Sequence, residues 1–286
     1  MNPDSPAEIR ALLQERGLAL KKRWGQNFLV NRGARERLVS LLEIGPGSTV
    51  WEIGPGLGSM TELLVRKAGR VVAFEVDRGL CRLIEAAFGS RPSFVLVPGD
   101  FLETWRETAE TQGLPDRIFG NLPYRSASLM IADLIKGGLR PALAVVTVQR
   151  ELAERLCSRP GTKSYSSFSV LCQAAFRVAS RGDLQPGSFY PAPEVVSSIV
   201  ELRPRDDCPE GRTMEVLSAL ARGLFSSRRK MIRGNLAALQ PLFGASPELL
   251  RDALAAEGID PGRRAEEYPP EAFVALAKRL TGSGAP

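Results

Sequence analysis

Apolar residues follow one spacing in the first two thirds of this chain and a different one after residue 205. Between residues 49 and 148, short runs rich in β-branched and aromatic residues alternate with longer stretches: Thr49-Val50-Trp51-Glu52-Ile53, Val71-Val72-Ala73-Phe74, Phe94-Val95-Leu96-Val97, Ile118-Phe119 and Ala144-Val145-Val146-Thr147-Val148. Runs that are almost wholly apolar suit strands covered on both sides, and intervals of this length suit crossover helices. The pattern therefore predicts a mostly parallel sheet with helices on both faces. Two later runs, over 174–180 and 197–202, predict a hairpin-like pair that carries an antiparallel edge. Ahead of the sheet, Ser5-Pro6-Ala7-Glu8 combines an N-cap serine, a proline at the first helical position and a capping-box glutamate. It predicts a helix that buries Ile9, Leu12 and Leu13 and ends at Gly17.

A break at Arg203-Pro204-Arg205-Asp206-Asp207-Cys208-Pro209 reads as a linker, and beyond it only helical spacing remains, as in Met214-Val216-Leu217-Leu220-Leu224 and Ala272-Phe273-Leu276-Ala277-Leu280. The expected architecture is α/β: a Rossmann-like domain over residues 1–205, with an N-terminal helical and basic segment, followed by a small all-helical domain over 206–286.

Chemistry gathers at the ends of the predicted strands. Glu52-Ile53-Gly54-Pro55-Gly56-Leu57-Gly58 closes the first of them and opens a helix, so its glycines allow close backbone approach at a helix N-terminus. Ser59 stands where a dinucleotide fingerprint requires its third glycine, and Glu-x-Gly-x-Gly-x-Gly instead resembles motif I of class I methyltransferases, which bind S-adenosylmethionine. Glu75 ends the second run 21 residues after Gly54, placed to accept hydrogen bonds from both hydroxyls of a ribose; Asp77 lies close behind it. Asp100, after the third run, is placed to accept from an adenine amino group. In an open parallel sheet such strand ends share one crevice at the topological switch point.

After the fourth run comes Asn121-Leu122-Pro123-Tyr124. An exocyclic amine such as adenine N6 is a poor nucleophile because its lone pair is delocalised into the ring, so a catalyst must hold its N–H groups with acceptors that turn the lone pair toward the electrophile. Asn121 Oδ1 and a backbone carbonyl of the Leu122-Pro123 segment are suited to this. Pro123 restricts Leu122 to extended geometry, and Tyr124 offers a flat face for a base.

Histidine is absent, which removes Ser-His-Asp and Cys-His catalysis, histidine-ligated metals and imidazole bases from consideration. Transfer of a methyl group from a sulfonium survives, because the donor is already activated. The four cysteines show no close pairing, so free thiols and no metal site are expected. With no long apolar run and no signal-like start, a cytoplasmic protein without membrane association is expected. The net charge of +6 fits a polyanionic partner. Lys21, Lys22 and Arg23 precede Trp24 in a basic and aromatic stretch, suited to covering a ligand or following a phosphate backbone. No acid occurs between Glu215 and Glu248, while Arg222, Arg228, Arg229, Lys230 and Arg233 do, which marks an RNA-binding candidate in the tail.

With these residues placed, the chain resembles the small-subunit ribosomal RNA adenine N6,N6-dimethyltransferases of the KsgA type. Besides motif I and Asn121-Leu122-Pro123-Tyr124, the resemblance is carried by Gly25-Gln26-Asn27-Phe28-Leu29, Gln149-Arg150-Glu151, Pro160-Gly161-Thr162-Lys163-Ser164-Tyr165, Phe189-Tyr190-Pro191-Ala192-Pro193-Glu194-Val195, Arg228-Arg229-Lys230 and Arg264-Ala265-Glu266. The chain departs from the family's pattern at Trp24, Ser166 and Gly234. The resemblance implies a class I methyltransferase fold and dimethylation of two adjacent adenosines in the 3′-terminal hairpin loop of 16S rRNA within the immature small subunit, by a monomer using S-adenosylmethionine. It implies cofactor contacts from Asn27, Leu29, Gly54, Gly56, Glu75, Asp100 and Asn121, a carbonyl from Leu122 to the amine, and a target base sandwiched between Tyr124 and Phe189. Two alternatives share the pattern: a 23S rRNA adenine methyltransferase of the macrolide-resistance type, and a ribosome-assembly factor whose binding role outweighs catalysis.

Overall fold

A computed structural model describes residues 2–20, 24–236, 239 and 247–282. The chain forms two compact units, one made of Met1–Met130, Pro141–Ala153 and Ala179–Arg203, the other of Ile131–Arg140, Glu154–Val178 and Pro204–Pro286. This division does not follow a single cut at residue 205, because two earlier segments are drawn into the second unit.

The first unit is organised by a seven-stranded sheet. Its strands are β2 (Thr49–Ile53), β3 (Arg70–Glu75), β4 (Phe94–Pro98), β5 (Arg117–Asn121), β6 (Leu143–Gln149), β7 (Phe176–Leu184) and β9 (Ser197–Pro204), in the order β4-β3-β2-β5-β6-β9-β7. The first five run parallel. β9 returns antiparallel to β6, as expected of the late pair. Helices α4 (Arg78–Phe88) and α5 (Phe101–Gln112) lie in the crossovers after β3 and β4. The order turns at β2, which pairs with β3 on one side and β5 on the other, so the chain leaves the sheet in opposite directions there. That is the switch point at which open α/β sheets form their crevice.

The nearly unbroken apolar runs are explained by burial. Val50, Val71, Ala73, Phe119, Val145 and Ile199 join one core cluster with Leu38, Leu42 and Leu64 of the helical layer. Trp51, Phe74 and Phe101 make a second packing centre, with edge-to-face ring pairs at 5.0 and 4.9 Å. Such pairs contribute about 0.5–1.5 kcal/mol each beyond burial. Phe74 immediately precedes Glu75 and Phe101 immediately follows Asp100, so this aromatic contact fixes the ends of two neighbouring strands.

The N-terminal helix α1 (Pro6–Glu15) starts at the predicted N-cap, with Ser5 Oγ accepting from the Glu8 N–H, but the capping box is not closed, because the Glu8 carboxylate accepts from the Asn2 N–H while the Ser5 N–H donates to the Asn2 carbonyl. Ile9 and Leu13 pack with Phe28, Val30 and Leu80. A two-stranded ladder between β1 (Phe28–Leu29) and β8 (Phe189–Tyr190) pairs Phe28 with Tyr190 and Leu29 with Phe189. Strands of two residues leave no periodicity to read, so the sequence offered no sign of it. The run over 174–180 also divides differently: Ala174 and Ala175 finish α8 (Ser167–Ala175), and the strand begins at Phe176.

In the second unit, α9 (Gly211–Leu224) and the helix Pro270–Gly282 pack on each other and on α8. Leu217, Leu220 and Leu224 form the buried stripe of α9, while Phe225 bridges Tyr165 and Phe273 with ring centroids 6.0 and 5.8 Å away. Ser166, one of the departures, caps α8: its hydroxyl accepts from the Ser169 N–H, and Ser169 returns the bond. Among the described residues no helix is long and apolar enough to cross a membrane. No group of three or more His, Cys, Asp or Glu side chains among them is arranged to hold a metal ion.

Candidate active site

The carboxyl ends of β2, β3, β4, β5 and β6 open into a cavity of about 540 Å³, with walls that include Asn27, Leu29, Gly54, Gly56, Glu75, Asp100, Asn121, Pro123 and Tyr124. Every expected cofactor contact therefore meets in one place. Clefts of about 300–1,000 Å³ are the usual size for a small organic ligand.

On the β2–β4 side, the positive φ of Gly54 (+73°) belongs to the left-handed region, and a Cβ placed there would project into open space rather than protein. A ligand can come down onto the bare backbone. Glu75 is buried, and its orientation is set by two amides: Oε2 accepts from Gly56 N–H at 3.1 Å and Oε1 from Asp77 N–H at 2.9 Å. Burial pushes its pKa up to about 7, so it is poised to gain from hydroxyl donors that favour its ionised form. Asp77, the near neighbour, caps α4 by accepting from Gly79 N–H at 2.7 Å and does not line the cavity. Asp100 lines it while one oxygen caps α5 through Leu102 N–H at 2.9 Å, which fixes the carboxylate's direction.

The 27–29 segment forms the facing wall. One of its carbonyls is held by a side chain that the sequence did not single out. The Leu29 carbonyl accepts from the buried Arg35 guanidinium at 3.0 Å, and Arg35 is itself ion-paired with Asp4. Glu52 was likewise visible only as a letter of motif I. It is fully buried, its Oε2 accepts from the Thr61 hydroxyl at 2.7 Å, and its Oε1 has no hydrogen-bond partner among the described residues. Burial pushes its pKa up to about 8.

On the β5–β6 side, Asn121 is the last residue of β5, and both ends of its amide are engaged. Nδ2 donates to the Asn27 carbonyl at 2.7 Å and Oδ1 accepts from the Thr147 hydroxyl at 2.5 Å. The carbonyl partner admits only an N–H donor, so it fixes which way the amide faces, and Oδ1 keeps a second lone pair for a ligand. Leu122 buries its side chain and donates its N–H to the Thr147 carbonyl at 3.1 Å. The Pro123 carbonyl is already taken by Ser126 and Ala127 N–H groups at 3.1 and 2.9 Å. Of the two backbone carbonyls considered for the amine, Leu122's is thus the one left open by the described hydrogen bonds, but Leu122 itself is not among the residues that line the cavity, whereas Pro123 is. Tyr124 is half-buried, and its hydroxyl is anchored by Ser197 Oγ at 2.6 Å. Burial pushes the phenol above its ordinary pKa, so the ring stays neutral.

Phe189 departs from expectation. It does not line the cavity; it is 4% exposed and packs in the main core cluster with Leu29, Leu184 and Ile199. Its ladder pairing with Leu29 aims both side chains at the same apolar layer, so in this structure it supports the cavity wall instead of facing Tyr124 across it.

The basic candidates fall into two groups. Lys21, Lys22 and Arg23 lie outside the described residues. In the second unit Arg228, Arg229 and Lys230 sit on the turn after α9, with exposed Arg233 in the following helical turn Ile232–Asn235. Arg228 is a tie as well as a charge, since its guanidinium donates to Glu266 Oε2 at 2.8 Å and to the Lys163 carbonyl at 2.6 Å. Gly161 N–H donates to the Glu266 carbonyl at 2.7 Å, so three distant motifs close on one another. Arg229 and Lys230 are exposed.

The family described as Ribosomal RNA adenine dimethylase matches residues 17–281. A ribosomal RNA small subunit methyltransferase A of Treponema denticola is 40% identical over 237 residues, 82% of this chain and 81% of its own. A protein of the same name from Borreliella burgdorferi is 36% identical over 280 residues, 98% and 95% of the two chains. Among solved structures, a dimethyladenosine transferase from Plasmodium falciparum superposes with a TM-score of 0.75 at 23% identity, over 89% of this chain and 98% of that one. The 23S rRNA methyltransferase ErmE does so with 0.64 at 24% identity, over 89% and 100%. The two structures establish the class I methyltransferase fold. Because the family match runs through motif I, the Asn121–Tyr124 turn and the helical tail alike, the chain belongs to the ribosomal RNA adenine dimethylase family.

Proposed function

We propose that this protein, an rRNA adenine dimethyltransferase by family, transfers two methyl groups to the N6 amine of each of two adjacent adenosines in the 3′-terminal hairpin loop of 16S rRNA, using S-adenosylmethionine. It acts as a cytoplasmic monomer on the immature small subunit. One observation carries the reading: the amide of Asn121 and the Tyr124 face share a single cavity with Gly54, Glu75 and Asp100.

The residues fit S-adenosylmethionine. Open space over Gly54 admits the methionine portion, Glu75 accepts from ribose hydroxyls and Asp100 from the adenine amine, with Asn27, Leu29 and Gly56 completing the walls. When bound, the cofactor supplies a sulfonium methyl as an activated electrophile. The chain's own task is to present the nucleophile. The target adenine, swung out of its loop, lies on Tyr124, which offsets unstacking worth a few kcal/mol. Asn121 Oδ1 and the Leu122 carbonyl accept its two N–H groups and turn the nitrogen lone pair toward the methyl. After transfer the surplus proton passes to solvent, and no general base is required. Exposed Arg229, Lys230 and Arg233, with Lys21, Lys22 and Arg23, belong to the RNA-binding part of this reading.

Tyr124→Ala should lower kcat/KM for RNA by about 5- to 150-fold, the equivalent of about 1–3 kcal/mol of base stacking, while calorimetric affinity for S-adenosylmethionine stays near wild type. An equal loss of cofactor affinity would make Tyr124 a wall residue. The function itself is tested by incubating immature small and large subunits with radiolabelled S-adenosylmethionine. N6,N6-dimethyladenosine in small-subunit RNA is expected. Label in large-subunit RNA alone would point to the resistance-type activity, and tight small-subunit binding without label to an assembly factor.

A further inference from the structure

We infer that Arg125 grips a backbone phosphate beside the adenosine that stacks on Tyr124, an inference that rests on the RNA-methylating reading above. Arg125 follows Tyr124 in the turn that Pro123 closes through its bonds to Ser126 and Ala127. It lines the same cavity yet is exposed, so its guanidinium stands at the mouth. Four other arginines of this unit are committed, Arg35 to Asp4, Arg150 to Asp183, and Arg181 and Arg203 to Glu201, while Arg78 and Arg82, which also have no such partner among the described residues, do not line the cavity. Among the described residues no ion pair or hydrogen bond holds Arg125.

Its position suits an anion better than other parts of the cavity do. Glu75 ends β3 and Asp100 follows β4, while Arg125 follows β5, on the far side of β2 from both acids. Neighbouring strands lie about 4.8 Å apart, so at least two strand spacings, about 10 Å, separate the acidic end from the basic mouth. A nucleotide entering base-first puts its neutral, flat part on Tyr124 and leaves its charged phosphates outside. Consecutive Cα atoms are about 3.8 Å apart, so the residue that carries the stacking ring and the one that carries the cation can address the base and the phosphate of a single nucleotide. A guanidinium matches a phosphate with two parallel N–H donors, which fixes orientation as well as supplying charge.

The test uses the full chain with immature small subunits, comparing wild type with Arg125→Ala and Arg125→Lys across a salt series. For Arg125→Ala, we expect RNA affinity by filter binding, and KM with it, to weaken about tenfold at low salt. The slope of log affinity against log salt should fall by about 0.7, the value for one contact on a single strand. Affinity for S-adenosylmethionine and kcat at saturating RNA should stay within about threefold, and Arg125→Lys should restore the salt slope. An Arg125→Ala protein with unchanged RNA affinity and slope overturns the inference, as does one whose loss lies in cofactor binding. If the wild type methylates small-subunit RNA while either result holds, only Arg125 has been misassigned. A wild type that methylates neither subunit overturns the functional reading and this inference together.

Discussion

Asn121→Ala should lower the turnover of methyl transfer by a factor of about 10²–10³. That is the range lost when one preorganised polar contact to a reacting centre is removed. The structure explains why the amide is preorganised. Asn27 holds one end and Thr147 the other, so Oδ1 is aimed before any substrate arrives. The substitution also frees the Asn27 carbonyl, and losing one ordinary hydrogen bond, about 0.5–1.5 kcal/mol, should weaken S-adenosylmethionine by no more than about tenfold. Single-turnover rates and calorimetry separate the two effects. Thr147→Val keeps the acceptor but removes its pin and should give an intermediate loss of turnover. A turnover of Asn121→Ala within threefold of wild type, with folding intact, would leave the amine without its proposed acceptor.

Glu52→Gln should make the ligand-free protein more stable in mild alkali. Burial raises the folded-state pKa of Glu52 from 4.5 to about 8, so folding favours the protonated side chain. The stabilisation from that neutral form is fully present below pH 4.5 and is lost as pH rises through about 8. Glu75 acts in the same direction, through about 7. The wild-type Tm should therefore decline between pH 5 and pH 8.5. Glutamine has nearly the same shape, can still accept from Thr61 and cannot ionise. The variant should match wild type near pH 5 and exceed it by about 4 kcal/mol near pH 8.5, with the remaining slope due to Glu75. Parallel wild-type and Glu52→Gln curves would mean that burial does not hold Glu52 neutral. Glu201 and Asp207, whose pKa values are lowered by Arg181 and Arg205, change charge at lower pH and do not disturb this comparison.

Features whose signal is local were legible in the chain. Strand periodicity, glycines at a strand-to-helix turn and acids at fixed distances after apolar runs placed Gly54, Glu75, Asp100 and Asn121 at one sheet edge, where they are found. Choosing Glu75 over Asp77 was possible because Glu75 directly ends its run, and the structure puts Asp77 to work as the α4 cap. Phe189 shows the limit. An aromatic before a proline-rich turn reads equally well as a stacking face or a core residue, and only the two-residue ladder with Leu29 decides for the core. Arg228 shows it again: a run of basic letters carries no sign of Glu266, which is distant in sequence.

By itself, then, the sequence determined the α/β class, the strand-end residues, the lack of imidazole chemistry and the family resemblance, because each depends on neighbours along the chain. Tertiary structure alone decided how Asn27 and Thr147 aim Asn121, how Ser197 anchors Tyr124, that Glu52 and Glu75 are buried enough to hold protons, and that Arg125 is left without a carboxylate. Those properties depend on groups brought together from distant parts of the chain and on the water that packing removes, and neither is written in the local order of residues.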